Sequence, residues 1–187
     1  MANSSLSSLQ EHLLKTQVGK VDLVAYVKDA LRMANQYNQQ YHCFTTICEK
    51  EAVAQAQAVQ EKINQKKAGK FAGLLITVKD NICVKDVEST ASSQILRGYK
   101  PLFDATAIER LKKEDAIVIG KTVHDEFGFG SFSVNVGKGY TIPQNPHDQK
   151  RTAGGSSGGA AVITALAEFH HVAIAESTGG SIEAPAA

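Results

Sequence analysis

Apolar positions along the first part of the chain recur at helical spacing. Leu6, Leu9, Leu13 and Leu14 share one face over residues 4–16, with serines ahead of them able to cap a helix, and Gly19 punctuates its end. Leu23, Val24, Val27, Leu31 and Ala34 predict a second helix over 22–39. Residues 42–47 (HCFTTI) are rich in β-branched and aromatic types and predict a short strand. An Ala- and Gln-rich stretch with alternating charges predicts a helix over 49–66, followed by a basic turn over 66–70. Residues 74–78 (LLITV) form an unbroken apolar run between Gly73 and the polar Lys79-Asp80-Asn81, the pattern of a strand buried on both faces. A helix capped by Asp104, with Ala107, Ile108 and Leu111 on its apolar side, leads to a second buried strand over 116–120 that ends at Lys121-Thr122. Strand, crossover helix and strand predict parallel pairing, with helices on the sheet faces. Residues 127–157 are dominated by Gly, Ser, Asn and Pro and predict a long ordered loop, uncommon unless it has a job. A small-residue helix over 159–167 and a strand over 171–175 complete a mixed α/β pattern.

Bulk properties narrow the function classes. With 187 residues, 43% hydrophobic and 21% charged, the chain can bury one sizeable core. A net charge of +1 supplies no general field to attract nucleic acid or an anionic membrane, so any RNA contact would need a partner's surface. The three cysteines, Cys43, Cys48 and Cys83, form no paired CxxC clusters, which argues against structural zinc. Their odd number, and a start without a basic and then apolar leader, predict free thiols in a reducing cytoplasm, with an organellar setting also open. No stretch approaches the roughly 20 apolar residues needed to span a bilayer.

Three features carry candidate chemistry: the GGSSGG run over 154–159, the STGGS run over 177–181, and Lys79, alone at the end of an apolar strand. Taken singly, each glycine-serine cluster reads as a turn. A phosphate-binding loop would need a Gly-Lys-Ser/Thr ending, whereas Gly158-Gly159 is followed by Ala160, and the dinucleotide fingerprint fails on glycine spacing. In combination they are more specific. GLLITVKDN (73–81), DAT (104–106), GKT (120–122) with DEF (125–127), Asn145-Pro146, GGSSGG and TGGS (178–181) occur in that order. This set resembles the amidase signature family over roughly residues 70 to 187. The resemblance implies a large mixed β-sheet covered by helices on both faces. Residues 71–187 would form the N-terminal part of that core, with residues 1–70 a helical region packed on it and no separate second domain.

The resemblance also implies a Ser–cis-Ser–Lys triad. Ser181 corresponds to the nucleophile, Ser156 to the bridging serine preceded by a cis peptide, with Ser157 its less fitting neighbour, and Lys79 to the base. Elementary chemistry is consistent with these roles, since a serine hydroxyl is a poor nucleophile until a nearby base takes its proton. Lysine can be that base only when neutral, and burial disfavours the ammonium. Ser156 would relay the proton. Thr178, Gly179 and Gly180 would let backbone N–H groups face the developing oxyanion. Ser131 resembles a family position near the substrate pocket, while Asp125 reads as a loop anchor. The duller alternatives make Lys79 a salt-bridged surface lysine and Ser181 a helix cap. No histidine is implied: His124, His147, His170 and His171 read as surface or packing residues. Neither metal nor cofactor is expected in this chain.

Within the family, DEF followed by GFGS, then Asn-Pro and RTAGGSS (151–157), is most similar to the A subunits of tRNA-dependent amidotransferases. That implies glutamine hydrolysis, with ammonia passed to a B subunit that uses ATP and magnesium to amidate Glu-tRNA(Gln) or Asp-tRNA(Asn), and a small C subunit clasping the two. The runner-up is a stand-alone amidase on another small amide, and a reading of another class is an inactive fragment or non-catalytic assembly piece. The chain departs from the family pattern at Glu176-Ser177, where Asp is usual before TGGS, and at Glu183, where Arg is common. Family members are longer, so the resemblance predicts that this chain stops soon after Ser181 and leaves strand edges unpaired.

Overall fold

Residues that alternate between the two faces of a buried strand must find cover on both sides, and the sheet shows how this chain supplies it. The computed structural model describes the backbone of residues 2–187 and the side chains of residues 8–187. Its element order is α1 (Ala2–Gln17), α2 (Leu23–Tyr41), β1 (Phe44–Ile47), α3 (Glu49–Asn64), β2 (Leu75–Lys79), α4 (Thr106–Lys113), β3 (Ile117–Thr122), α5 (Gly158–Leu166), β4 (His171–Ile174) and α6 (Glu183–Ala186). The strands form one mixed sheet in the order β1-β3-β2-β4. β2 runs parallel to both β3 and β4, and β1 is antiparallel to β3. The parallel pair expected from the strand–helix–strand pattern is β2 with β3.

Every residue of β2 is buried, because β2 has a strand on either side and helices on either face. Leu75, Ile117 and Ile119 pack with Leu23, Val27 and Leu31 of α2, with Val59 and Ile63 of α3, and with Val162 and Ile163 of α5. Ile76, Val78 and Val118 pack on the other face with Ile108 of α4 and with Leu9 and Leu13 of α1. Each fully buried aliphatic side chain stabilises by about 1.5–3 kcal/mol, so a strand rich in them can tolerate a costly residue at its end. That residue is Lys79.

Two local expectations change. α1 begins at Ala2, so the serines read as its cap lie within the helix; their side chains, and that of Leu6, fall outside the described residues. Asp104 does not cap α4. The residue before that helix is Ala105, which makes no side-chain cap. Standing one position too early for the first helical amides, the Asp104 carboxylate instead accepts from the Lys85 amide at 2.8 Å and pairs with Lys112 Nζ at 2.9 Å. Asp22 does cap α2, accepting from the Ala25 amide at 3.0 Å. The free thiols of Cys43 and Cys48 are packing groups, pushed up by burial to about 12. Among the described residues, no helix is long and apolar enough to cross a membrane.

The N-terminal turn of α5 presses directly on the sheet. The Gly159 amide donates to the Val123 carbonyl at 3.0 Å. A Cβ at Gly159 would meet that carbonyl at 2.6 Å and Val123 Cγ1 at 2.9 Å. Gly159→Ala should therefore lower stability by about 1–3 kcal/mol despite alanine's better helix propensity. A urea midpoint at or above that of the native chain would show that α5 can shift freely.

Candidate active site

The ends of β2 and β4 and the start of α5 converge at one point. Lys79 closes β2, where strands on both sides keep water from its stem, and its side chain is 0% exposed. Its Nζ donates to Ser156 Oγ at 2.8 Å, to Glu176 Oε1 at 2.6 Å and to the Glu176 carbonyl at 3.2 Å. Lys79 is thus a salt-bridged lysine, but not a surface one.

Ser156 is fully buried, and the Gly155–Ser156 peptide is cis. Its carbonyl accepts from the Asp125 amide at 3.2 Å and from Ser133 Oγ at 3.4 Å. Ser133 Oγ in turn accepts from the Gly158 amide at 3.0 Å, tying the serine pair to the start of α5. Asp125 is a loop anchor: its carboxylate accepts from the amides of Ser133 at 2.9 Å and Asn135 at 2.8 Å. A carboxylate among backbone N–H groups supplies charge-assisted hydrogen bonds of about 1.5–3 kcal/mol each, enough to order a loop of this length.

Ser181 is brought alongside by its backbone. Its carbonyl accepts from the Ser157 amide at 3.1 Å, while its hydroxyl makes no hydrogen bond among the described residues. The structure therefore joins Lys79 to Ser156 through side chains and places Ser181 next to them without linking the two serine hydroxyls. The loop that carries Ser181 is closed by both positions at which the sequence departs from the family pattern. Ser177 Oγ donates to Glu183 Oε2 at 2.7 Å, and the Ile182 amide donates to the same oxygen at 3.3 Å. The Gly180 amide donates to Ser177 Oγ at 3.2 Å, so one amide of the expected oxyanion group is engaged. Those of Thr178 and Gly179 make no hydrogen bond among the described residues. α6, which follows, has no counterpart in the elements expected from the sequence pattern.

Ser131 is exposed, and its carbonyl rather than its hydroxyl is used, accepting from the Gly155 amide at 2.9 Å. It lines a cleft of about 1180 Å³ with Phe132, Ser157, His171 and Ile182, but neither Lys79 nor Ser181 belongs to that lining. The Lys79–Ser156 contact therefore lies outside the cleft. The histidines fit packing or surface positions. His124 is fully buried, its Nδ1 lies 2.6 Å from the Asp125 carbonyl, and burial pushes it down to about 4; His147 is exposed. Among the described residues, no three His, Cys, Asp or Glu side chains are grouped to hold a metal ion.

Sequence reasoning missed the role of Glu176 beside Lys79. Parallel pairing sets Val78 opposite Ile174, so the chain just past β4 reaches the end of β2. The hydrogen bond from Lys79 holds the Glu176 carboxyl below the usual carboxylate range; Asn81 Nδ2, at 3.0 Å, adds to this, and burial opposes it.

The chain is 39% identical over 185 residues to the A subunit of a glutamyl-tRNA(Gln) amidotransferase of Clostridium acetobutylicum, covering 98% of this chain and 37% of that protein. It is 44% identical over 162 residues to the corresponding A subunit of Saccharolobus solfataricus, covering 87% and 32%. The chain thus spans about a third of the length of these relatives. Among solved structures, the native peptide amidase of Stenotrophomonas maltophilia superposes with a TM-score of 0.83 at 25% identity, over 93% of this chain and 37% of that one. The family model for amidases matches residues 25–187, and the chain belongs to that family.

Proposed function

We propose that this chain carries the catalytic centre for amide hydrolysis, with Ser181 as nucleophile, Ser156 as proton relay and Lys79 as base. The observation that carries the reading is the buried contact of 2.8 Å between Lys79 Nζ and Ser156 Oγ, with Ser181 tied to the next residue. In the reaction, Ser181 Oγ attacks the amide carbon as its proton passes through Ser156 Oγ to neutral Lys79. The free amides of the 178–180 segment would face the oxyanion. Collapse of the tetrahedral intermediate breaks the C–N bond, and the relay returns the proton to the departing amine. Water, activated by the same relay, then cleaves the acyl-serine ester.

The substrate we favour is glutamine, giving glutamate and ammonia. The similarity to A-subunit sequences over nearly the whole chain supports this. The ammonia would serve tRNA-dependent amidation of Glu-tRNA(Gln) or Asp-tRNA(Asn) with B and C subunits, the B subunit using ATP and magnesium. A second reading, a stand-alone amidase, is favoured by the superposition on the peptide amidase. The test is to treat the chain with a fluorophosphonate and map the adduct by mass spectrometry, then to assay ammonia release from glutamine. The adduct is expected on Ser181. An adduct elsewhere, or none, would reject the assignment and favour a non-catalytic assembly piece. An adduct on Ser181 with hydrolysis only of other amides would select the second reading.

A further inference from the structure

The centre contains a carboxylate that the mechanism above does not use. Glu176 Oε1 lies 2.6 Å from Lys79 Nζ. Together with the Glu176 carbonyl and Ser156 Oγ it gives Nζ three acceptors, matching the three N–H bonds of an ammonium. In that state Lys79 donates to Ser156 and cannot accept a proton from it. Gly128 covers the same small space: a Cβ there would lie 3.7 Å from Glu176 Oε1 and 4.0 Å from Ser156 Oγ.

We propose that Glu176 is a positioning residue acting through Lys79: it holds the lysine as an ammonium in the resting centre, and the pair must part before Lys79 can serve as base. The inference rests on the reading of Lys79 as base. Exposure identifies the member that moves. The Lys79 side chain is 0% exposed and locked in the sheet, whereas that of Glu176 is 42% exposed and can turn to solvent. Once Glu176 has turned to solvent, Nζ releases its proton to water that takes the carboxylate's place, leaving an amine that can take the Ser181 proton through Ser156. Glu176 is thus a brake on the resting site rather than a catalytic residue.

The other titratable groups nearby do not substitute for it. His124, on the segment after β3, is pushed down to about 4 by burial and is neutral at pH 7. Asp80, next to Lys79, is fully buried 3.2 Å from Lys121 on β3 and is committed to that ion. Glu176 is therefore the ionised group near the centre that is free to exchange partners.

The experiment compares fluorophosphonate labelling of the native chain and Glu176→Gln across pH. Glutamine keeps the size and a hydrogen-bonding oxygen but removes the charge. Labelling of the variant at pH 7 is expected to be faster by roughly threefold to tenfold, a range that allows for solvent screening of a half-exposed carboxylate. The acid limb of its profile is expected at lower pH. A merely structural glutamate would give the opposite result, slower labelling with an unmoved profile. Equal or slower labelling of the variant overturns this inference alone, and no labelling of either protein overturns it together with the proposed function. A readout independent of activity is the ¹³C titration of the Glu176 carboxyl. It should lie below the usual carboxylate range in the native chain and return toward that range in Lys79→Met; identical titrations would show that the pair does not form.

Discussion

On the proposed roles, Ser181→Ala and Lys79→Met are each expected to reduce fluorophosphonate labelling and amide hydrolysis by roughly 10³-fold or more, with native far-ultraviolet circular dichroism. The two losses have different causes. Ser181→Ala removes the oxygen that forms the new bond, and no neighbour can replace it, because Ser156 Oγ is buried against Lys79 Nζ. Lys79→Met keeps the apolar stem in the sheet but removes the group that takes the proton. The fold should survive this change, because the Glu176 side chain, 42% exposed, can be solvated once its partner is gone. Lys79→Arg separates an electrostatic role from a chemical one. A guanidinium can still pair with Glu176, but it is not deprotonated in proteins and cannot act as base. Lys79→Arg is therefore expected to be as inactive as Lys79→Met. Retention of more than a tenth of native activity would mean that the charge of Lys79, not its basicity, is what the centre requires.

The parts of this site that were legible in the sequence are those fixed by local pattern. Lys79 stood out because a charged residue directly followed LLITV, a run that reads as a buried strand, and the strand is buried at every position. Ser156 and Ser181 stood out through the glycines around them. The register of the parallel sheet was not legible. Glu176 meets Lys79 only because β4 pairs with β2 and Val78 lies opposite Ile174. Nothing in the run AESTGGS announces a partner almost a hundred residues away in sequence. The same limit explains Asp104, whose position suits a helix cap on local grounds. Its carboxylate is drawn instead to Lys112 and the Lys85 amide, and the cationic partner outweighs one helical N–H. Ser133, which orients Ser156, was hidden in a loop where many serines look alike.

Lys121→Met is expected to be the most damaging single change to stability, at about 3–5 kcal/mol. Lys121 and Asp80 are both fully buried, 3.2 Å apart. Burial pushes the Lys121 ammonium down from the usual lysine value, and Asp80 opposes that shift. Ser89 Oγ accepts from Lys121 Nζ at 2.6 Å, and Asp80 Oδ2 accepts from the Thr90 amide at 3.1 Å and from the Thr90 hydroxyl. The pair therefore closes the 80–92 segment over the ends of β2 and β3. Removing the ammonium alone leaves a carboxylate in a site closed to water, which costs more than the ion pair itself contributes. Against a typical domain stability of about 5–15 kcal/mol, that loss brings much of the population near unfolding. Lys121→Met combined with Asp80→Asn removes both charges and keeps an oxygen for the Thr90 groups, so the double variant should recover part of the loss. Urea denaturation of the native chain, the single variant and the double variant measures this directly. A double variant no more stable than the single one would mean that the lysine acts through packing of its stem. Recovery would mean that the stranded charge is the cause, and that Lys121 holds Asp80, the neighbour of Lys79, in place.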